Sequence, residues 1–294
     1  MQNSITWHEI EASLDNLTPT EGGFSQAHRG LVTLPDGRQI FVKIGTDDNT
    51  KQWARKEIAV YEYLKQQSFG AVPELLASSP DNTAFALEAL TPENGWDWSE
   101  AWTPERLAAT LEAMDELAVL KPQSEDWLDM GQLALDESRD GWAALKKSDE
   151  LRHALLNKLV SAGHKETADA LDFAAEADRS ARFVFRTDVL VHFDVRADNC
   201  AWNPHTKQVK LVDWNWTQYG DARVDFAAML THVQKSGLDI SASQASRLDA
   251  DALQWLAGFW FNGAATPIWP GGPEHLRDFQ LQAGITALKL ARKV

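Results

Sequence analysis

The stretch from Leu190 to Trp214 constrains this chain more than any other. It reads Leu190-Val191-His192-Phe193-Asp194-Val195-Arg196-Ala197-Asp198-Asn199-Cys200-Ala201-Trp202, and then, after a turn, Val209-Lys210-Leu211-Val212-Asp213-Trp214. The pattern is a polar loop, a β-hairpin, and an aspartate at the end of an apolar run that reads as a short strand. Asp194 is placed to accept a proton from an attacking hydroxyl. Asn199, five residues on, can put an amide oxygen on a metal ion. A carboxylate at a strand end, Asp213, suits Mg²⁺, which takes hard oxygen ligands and keeps several waters. His-x-Asp-x-x-x-x-Asn with a strand-end Asp downstream is the spacing that phosphoryl transfer uses for a base and two metal ligands. A polar turn between buried strands also contains Asp and Asn. The rest of the chain has to decide between the two.

Upstream, Ile5, Trp7, Ile10, Leu14 and Leu17 recur at helical spacing and predict a helix from about Ser4 to Leu17, with Ser4 or Thr6 as N-cap and Pro19 as its end. Thr20 to Gln26 carries Gly22-Gly23-Phe24-Ser25, where two glycines let backbone N–H groups approach a phosphate. Any tight turn looks the same in isolation. The strand Gly30–Leu34, the turn Pro35-Asp36-Gly37-Arg38 and the strand Gln39–Ile44 form a hairpin. Lys43 lies in the second strand. It is either a surface lysine on an edge or an ammonium that reaches phosphates, held by a carboxylate. The helix Thr50–Leu64 offers one, because Glu57 shares a face with Trp53, Tyr61 and Leu64, and an inward glutamate needs a cation.

Val72–Ala77 and Thr83–Leu90 read as two more strands. The second ends Glu88-Ala89-Leu90, a link whose backbone could pair with a nucleobase or simply join strand to helix. Thr91 to Gly95 marks a boundary by its turn chemistry. Beyond Pro104 the chain is helical: Leu107, Leu111, Met114, Leu117 and Leu120 form one stripe stopped by Pro122, and further patterns cover Gly141–Leu159 and Lys165–Ala177. Gly220–Leu230 reads as a turn into a buried helix, where Asp225 caps the helix or braces the loop at Asp194. The tail from Ala250 is helical and carries Trp255, Trp260 and Trp269.

Composition narrows the partners. The 294 residues are 44% hydrophobic and 24% charged, those of an ordinary globular protein. A net charge of −15 argues against nucleic acid, whose phosphates attract basic surfaces. No apolar run reaches the roughly 20 residues of a membrane span. The N-terminus lacks the basic start and apolar core of a secretory signal, so the cytoplasm is the expected compartment. Cys200, the single cysteine, excludes an internal disulfide and reads as a packing residue.

Taken together, Gly22-Gly23-Phe24-Ser25, Val42-Lys43, Glu57, His192-x-Asp194-x-Arg196-x-x-Asn199, Val212-Asp213-Trp214 and Gly220-Asp221-x-x-x-Asp225 resemble the aminoglycoside phosphotransferase and choline kinase family, the small-molecule branch of the kinase fold. The resemblance covers nearly the whole chain in order, and its specific motifs are the Asp194 loop and Asp213. It implies transfer of the ATP γ-phosphate to a hydroxyl with Mg²⁺, Asp194 as base, Arg196 steadying the phosphoryl group, and Asn199 and Asp213 as metal ligands. Gly22, Gly23, Phe24, Ser25, Lys43, Glu57, Glu88 and Leu90 would hold the nucleotide. Phe193 departs from the glycine often found there. The helix ending at Lys121-Pro122 lacks a histidine many members carry. Trp214 in place of Phe-Gly, and the lack of an Ala-Pro-Glu segment, count against a regulated protein kinase.

The expected fold is α+β and bilobal, protein-kinase-like, with a β-rich N-lobe over residues 1–91 and a mostly helical C-lobe over 92–294. The expected activity is phosphorylation of a small hydroxylated acceptor bearing an amine, because tail carboxylates (Asp249, Asp251, Glu274, Asp278) favour ammonium groups and indoles hold cations. Amino sugars rank ahead of amino alcohols. Asp198, Trp214, Trp255, Trp260 and Glu274 are the expected acceptor contacts. The rivals are an amino-alcohol or neutral-sugar kinase and a catalytically silent nucleotide binder.

Overall fold

The computed structural model describes residues 5–20, 26–121, 139–186, 189–269, 272–273 and 275–294. The chain forms two compact units, one of Met1–Leu133 with Val189–Tyr219 and one of Ala134–Asp188 with Gly220–Val294. The 91/92 position lies inside the first unit, which runs on to Leu133 and also takes in Val189–Tyr219.

The first unit is built on a five-stranded antiparallel sheet in the order β1-β2-β3-β5-β4, made of β1 (Thr18–Pro19), β2 (His28–Thr33), β3 (Gln39–Ile44), β4 (Leu75–Ser78) and β5 (Ala84–Glu88). The hairpin expected at Pro35–Arg38 is present, with Gly37 supplying φ 87°. The N-terminal helix is shorter than its periodicity predicts. Thr6 opens α1 (Trp7–Glu11) with a reciprocal cap, its backbone N–H donating to Glu9 Oε2 at 2.8 Å. A 3₁₀ turn over Leu14–Asn16 follows. Thr18 and Pro19 then leave the helix to pair with Leu31 and Gly30 of β2. Gly30 permits that pairing, since a Cβ there would lie 2.2 Å from the Thr18 carbonyl oxygen.

Strand alternation divides the sheet between two tasks. Val32, Leu34, Ile40, Val42 and Ala86 pack with Ile10 into a buried cluster on one side. The alternate residues are cross-strand neighbours on the other face: Arg29 opposite Lys43, Leu31 opposite Phe41, then Phe85 opposite Lys43 and Leu87 opposite Phe41. Helix α2 (Asp48–Gln66) packs on the sheet, with Tyr61 against Phe85 at 5.9 Å between ring centres. Asp47 caps α2, accepting from Thr50 N at 2.7 Å. Helix α3 (Pro104–Leu117) starts at the N-cap Thr103 and buries Leu107, Leu111, Met114 and Leu117. It lies against β6 (Val189–Val191) and the hairpin partner β8 (Gln208–Leu211) of β7 (Cys200–Asn203).

The second unit is helical. The single pattern expected over Gly141–Leu159 splits into α4 (Gly141–Lys147) and α5 (Asp149–Ser161). Ser148 between them is extended, and its hydroxyl accepts from Leu151 N at 3.2 Å. The Lys165–Ala177 pattern likewise splits into α6 (Lys165–Ala170) and α7 (Phe173–Ser180), with Asp172 as the new N-cap. In both places a side-chain acceptor takes over N–H groups that a continuous helix would have bonded. After these come α8 (Ala222–Lys235), α9 (Ala242–Ala245), α10 (Ala250–Ala265) and α11 (Leu276–Ala291). The N-cap of α8 is Asp221, while Asp225 is buried in its first turn. Helix α10 is the hub, packed by α4, α5, α7, α8 and α11. Trp142 of α4 is fully buried and donates its indole N–H to the Gln254 carbonyl at 2.7 Å.

Candidate active site

Lys43 is held on the face of the sheet that α2 packs against by its place in β3. It is 5% exposed, and its ammonium donates to Glu57 Oε1 at 2.5 Å and to Asp213 Oδ1 at 2.8 Å. Glu57 reaches it from the buried face of α2, as the spacing in that helix predicts. Burial opposes the Lys43 charge, but Asp213 and Glu57 outweigh it and hold the ammonium above its usual range. Burial pushes Glu57 up to about 7, against the pull of Lys43. Asp213 moves the other way: burial would raise it, and Lys43 brings it below the usual carboxylate range. Lys43 is therefore a charged hub between two acids.

Asp213 follows β8 with φ 63°, a left-handed backbone that turns the chain into the 3₁₀ turn Trp214–Trp216. The Asp194 loop is bonded to itself and to this segment. Asn199 Nδ2 donates to Asp194 Oδ2 at 2.9 Å and to the Asp194 carbonyl at 3.0 Å, which leaves the amide oxygen as its end for a metal. Arg196 bridges Asp194 at 3.1 Å and Asp198 at 3.0 Å. Burial pushes the Asp194 carboxyl up to about 7, with Arg196 opposing the shift. His192 is fully buried, and burial brings its imidazole down to about 4. Its hydrogen bonds suit a neutral ring, with Nε2 against the Val212 carbonyl at 3.0 Å and Nδ1 accepting from Asp194 N at 3.3 Å. Phe193 keeps a glycine-like φ of 63° in spite of its side chain, and its buried ring packs on Trp216 at 5.8 Å.

Lys43, Glu57, Asp198, Asn199 and Asp213 line a cavity of about 440 Å³ in the first unit, the size of a small-ligand pocket; Asp194 and Arg196 are not among its lining residues. Its lining includes the apolar Leu31, Phe41, Phe85, Leu87 and Leu90 and the charged or polar Arg29, Lys43, Glu57, Asp198, Asn199 and Asp213. Asn199 and Asp213 both line it and would offer two hard oxygens, a donor set that suits Mg²⁺ completed by waters and phosphate oxygens.

The chain matches the model of the phosphotransferase enzyme family over residues 16–259. It belongs to that family. Solved structures with the same fold are distant in sequence. One is an aminoglycoside phosphotransferase from Alicyclobacillus acidocaldarius, 14% identical with a TM-score of 0.60, covering 96% of this chain and 93% of that one. Another is the choline kinase LicA from Streptococcus pneumoniae, 12% identical with a TM-score of 0.57, covering 96% and 97%. A third, a microcompartment-associated aminopropanol kinase, is 12% identical with a TM-score of 0.55, covering 95% and 92%. No curated protein matches the chain. The α+β, kinase-like fold expected from the sequence is the one observed: an antiparallel sheet in the N-terminal part and a mostly helical remainder.

In this family member the other expected residues are distributed unevenly. Leu90 lines the cavity, but its carbonyl accepts from the Trp98 indole at 2.6 Å. Glu88 lines it too and pairs with Lys210 at 3.3 Å. Asp198 is on the wall and half-exposed. Trp214 is fully buried, with its indole N–H on the Leu211 carbonyl at 3.1 Å and its ring tilted on His192. Trp255 and Trp260 are buried in α10, the first between Phe185 and Phe259 and the second against His232, and neither lines the cavity. Asp249 caps α10 and pairs with Arg223 at 3.2 Å. Asp251 and Asp278 lie in the first turns of α10 and α11. Gly22, Gly23, Phe24, Ser25 and Glu274 lie outside the described residues.

Three residues escaped the sequence reading: Arg29, Trp98 and Arg106. Arg29 could have been found from its even spacing with Leu31 on β2. Arg106 is fully buried in α3, and its guanidinium donates to the carbonyls of Ser99 at 2.6 Å, Ala101 at 3.1 Å, Ala197 at 2.6 Å and Cys200. It fastens both ends of the turn that carries Asn199. Nothing in the sequence of α3 separates it from a surface arginine.

Among the described residues, no helix is long and apolar enough to cross a membrane.

Proposed function

We propose that this chain is an ATP- and Mg²⁺-dependent phosphotransferase that moves the γ-phosphate to a hydroxyl of a small molecule bearing an amine. The observation that carries the reading is the Lys43 ammonium joined to Glu57 and Asp213 on the wall of a cavity that Asn199 also lines. In this reading the base Asp194 takes the proton of the acceptor hydroxyl, and its bond to Asn199 keeps it beside the metal site. Lys43, oriented by Glu57, reaches the donor phosphates. Asp213 and Asn199 would hold Mg²⁺, which when bound offsets the negative charge of those phosphates. Arg196 steadies the transferring group. Little covalent work is left to the protein, so most of the rate comes from placement and fixed charge.

The acceptor class has its own support. An aminoglycoside, choline and aminopropanol, the molecules that name three neighbours of this fold, each join a hydroxyl to an amine or ammonium group. A net charge of −15 favours a cationic acceptor over an anionic one. Trp255 and Trp260 are buried away from the cavity and lend no indole face to an amine. Amino sugars remain ahead of amino alcohols. The test is kcat/KM with matched acceptors, glucosamine against glucose, with the phosphorylated product identified by mass. The amine-bearing sugar should be better by about tenfold, the scale of one charge-assisted contact. Equal or better turnover of glucose would overturn the amine preference, and no ATP-dependent product with any hydroxylated acceptor would overturn the reading itself.

A further inference from the structure

Asp213 stands immediately before the 3₁₀ turn Trp214–Trp216, a place where an aspartate ordinarily accepts from the backbone N–H groups of the turn. Here it makes no such cap. Its Oδ1 takes two side-chain donors instead, the Lys43 ammonium at 2.8 Å and the Asn215 amide nitrogen Nδ2 at 2.6 Å. A carboxylate oxygen has about two acceptor sites, so Oδ1 is filled. Among the described residues no donor is bonded to Oδ2. The Asp213 side chain is 27% exposed and lines the cavity. Oδ2 is therefore the oxygen left for a metal.

The Asn215 amide can face Asp213 in one way only. Turned over, its own oxygen would meet the carboxylate at the same 2.6 Å, acceptor against acceptor. The turn that carries it is fixed on both sides: the Trp214 indole N–H is on the Leu211 carbonyl at 3.1 Å, and the Trp216 ring packs on Phe193 at 5.8 Å. Helix α2, which brings Glu57, packs on the same turn. The amide oxygen of Asn215 is buried and has no hydrogen-bond partner among the described residues. An unpaired buried acceptor opposes folding, so asparagine suits this turn poorly on packing grounds alone. What it supplies is a donor without a charge. Lys43, Glu57 and Asp213 together carry a net charge of −1, which a metal cation would use. A lysine at 215 would cancel that charge and a carboxylate would repel Asp213, whereas an amide holds the oxygen and leaves the charge in place.

We infer that Asn215 is a positioning residue for the metal site: with Lys43 it pins Asp213 Oδ1, so that Asp213 offers Oδ2 alone to Mg²⁺. The inference rests on the Mg²⁺-nucleotide reading of the cavity and deepens it. Asn215 does not line the cavity and acts through Asp213. Its contribution to nucleotide binding is present with the metal and absent without it.

Calorimetric titration of the full chain with ATP, once with Mg²⁺ and once with a chelator in its place, tests this in wild type, Asn215→Leu and Asn215→Ala. Leucine has nearly the shape of asparagine and no donor; alanine removes the donor without adding bulk. A thermal melt confirms that each variant is folded. Wild type should bind ATP more tightly with Mg²⁺. Both variants should lose about tenfold with Mg²⁺, the scale of a lost contact that orients a metal ligand, and stay within about twofold of wild type in chelator. Wild-type affinity with Mg²⁺ in a folded variant, whatever its melting temperature, would overturn the role of Asn215 and leave the metal reading standing. So would equal losses with and without Mg²⁺, or failure of both variants to fold, either of which would make the amide a structural group only. If wild-type ATP affinity is indifferent to Mg²⁺, or ATP does not bind, the reading of the site itself falls and takes this inference with it.

Discussion

His192 shows how a single residue here is fixed by what surrounds it. With Nε2 directed at the Val212 carbonyl and Nδ1 accepting from Asp194 N, the ring has one proton and two partners, and a second proton on Nδ1 would break the loop's own bond. Burial reinforces this and brings the ring from its usual 6.5 to about 4. Folding therefore favours neutral His192, and the unfolded chain binds more protons between those two values. Its contribution is fully present above 6.5 and is lost as pH falls towards 4, a change of about 3 kcal/mol at most. Chemical denaturation at about pH 7.5 and about pH 4.5 should show wild type losing roughly 2 kcal/mol more than His192→Gln, which retains a donor for Val212. Parallel losses in the two proteins would show that His192 titrates in the fold as it does in the unfolded chain, so that burial does not hold it neutral. At this scale the sequence was readable where a residue's spacing announced its partner. Glu57 faces inward by helical period, an inward acid needs a cation, and Lys43 is there at 2.5 Å. Arg106 was not readable, because its partners are backbone carbonyls, which leave no pattern in the chain.

At the scale of elements, α3 is more than a packing helix. Its buried guanidinium, Arg106, ties the carbonyls of Ser99 and Ala101 at its own entry to those of Ala197 and Cys200 around Asn199. Arg106 thus acts as a positioning residue, setting the turn from which Asn199 projects. Arg106→Lys keeps a charge but cannot reach four carbonyls at once. It should remain folded with a lower melting temperature, and it should require several-fold more Mg²⁺ for half-maximal rate, the cost of about one or two lost hydrogen bonds to carbonyls. A melting shift with unchanged Mg²⁺ dependence would make Arg106 a stability residue only. Helix ends were the least legible elements, for a related reason. Apolar periodicity ran through Ser148 and Asp172 without a break, yet each side chain caps a new helix there. Pro19 announced an end but could not show that Thr18 and Pro19 would pair with β2.

For the whole molecule, the order of motifs was enough to give the α+β, kinase-like fold, since each motif carries its own local geometry: hairpin, helix, loop, hairpin. Division of the chain was less legible. A boundary read from turn chemistry at Thr91–Gly95 marks where the sheet ends, but the first unit runs on to Leu133 and takes in Val189–Tyr219, where Asp213 pairs with Lys43. An indole in a helix looks alike in sequence whether it faces a ligand or, as Trp255 and Trp260 do, the core. The central claim is that one protein surface separates the group that works on the acceptor from the group that holds the metal and donor. It is tested most directly by calorimetry of Mg²⁺-ATP binding, alongside phosphoryl transfer, in Asp194→Ala and Asp213→Ala. Asp194→Ala should bind Mg²⁺-ATP within about threefold of wild type and lose transfer by at least about a hundredfold, as for a lost general base. Asp213→Ala should lose both. An Asp194→Ala protein that loses ATP affinity while Asp213→Ala retains it would contradict the account.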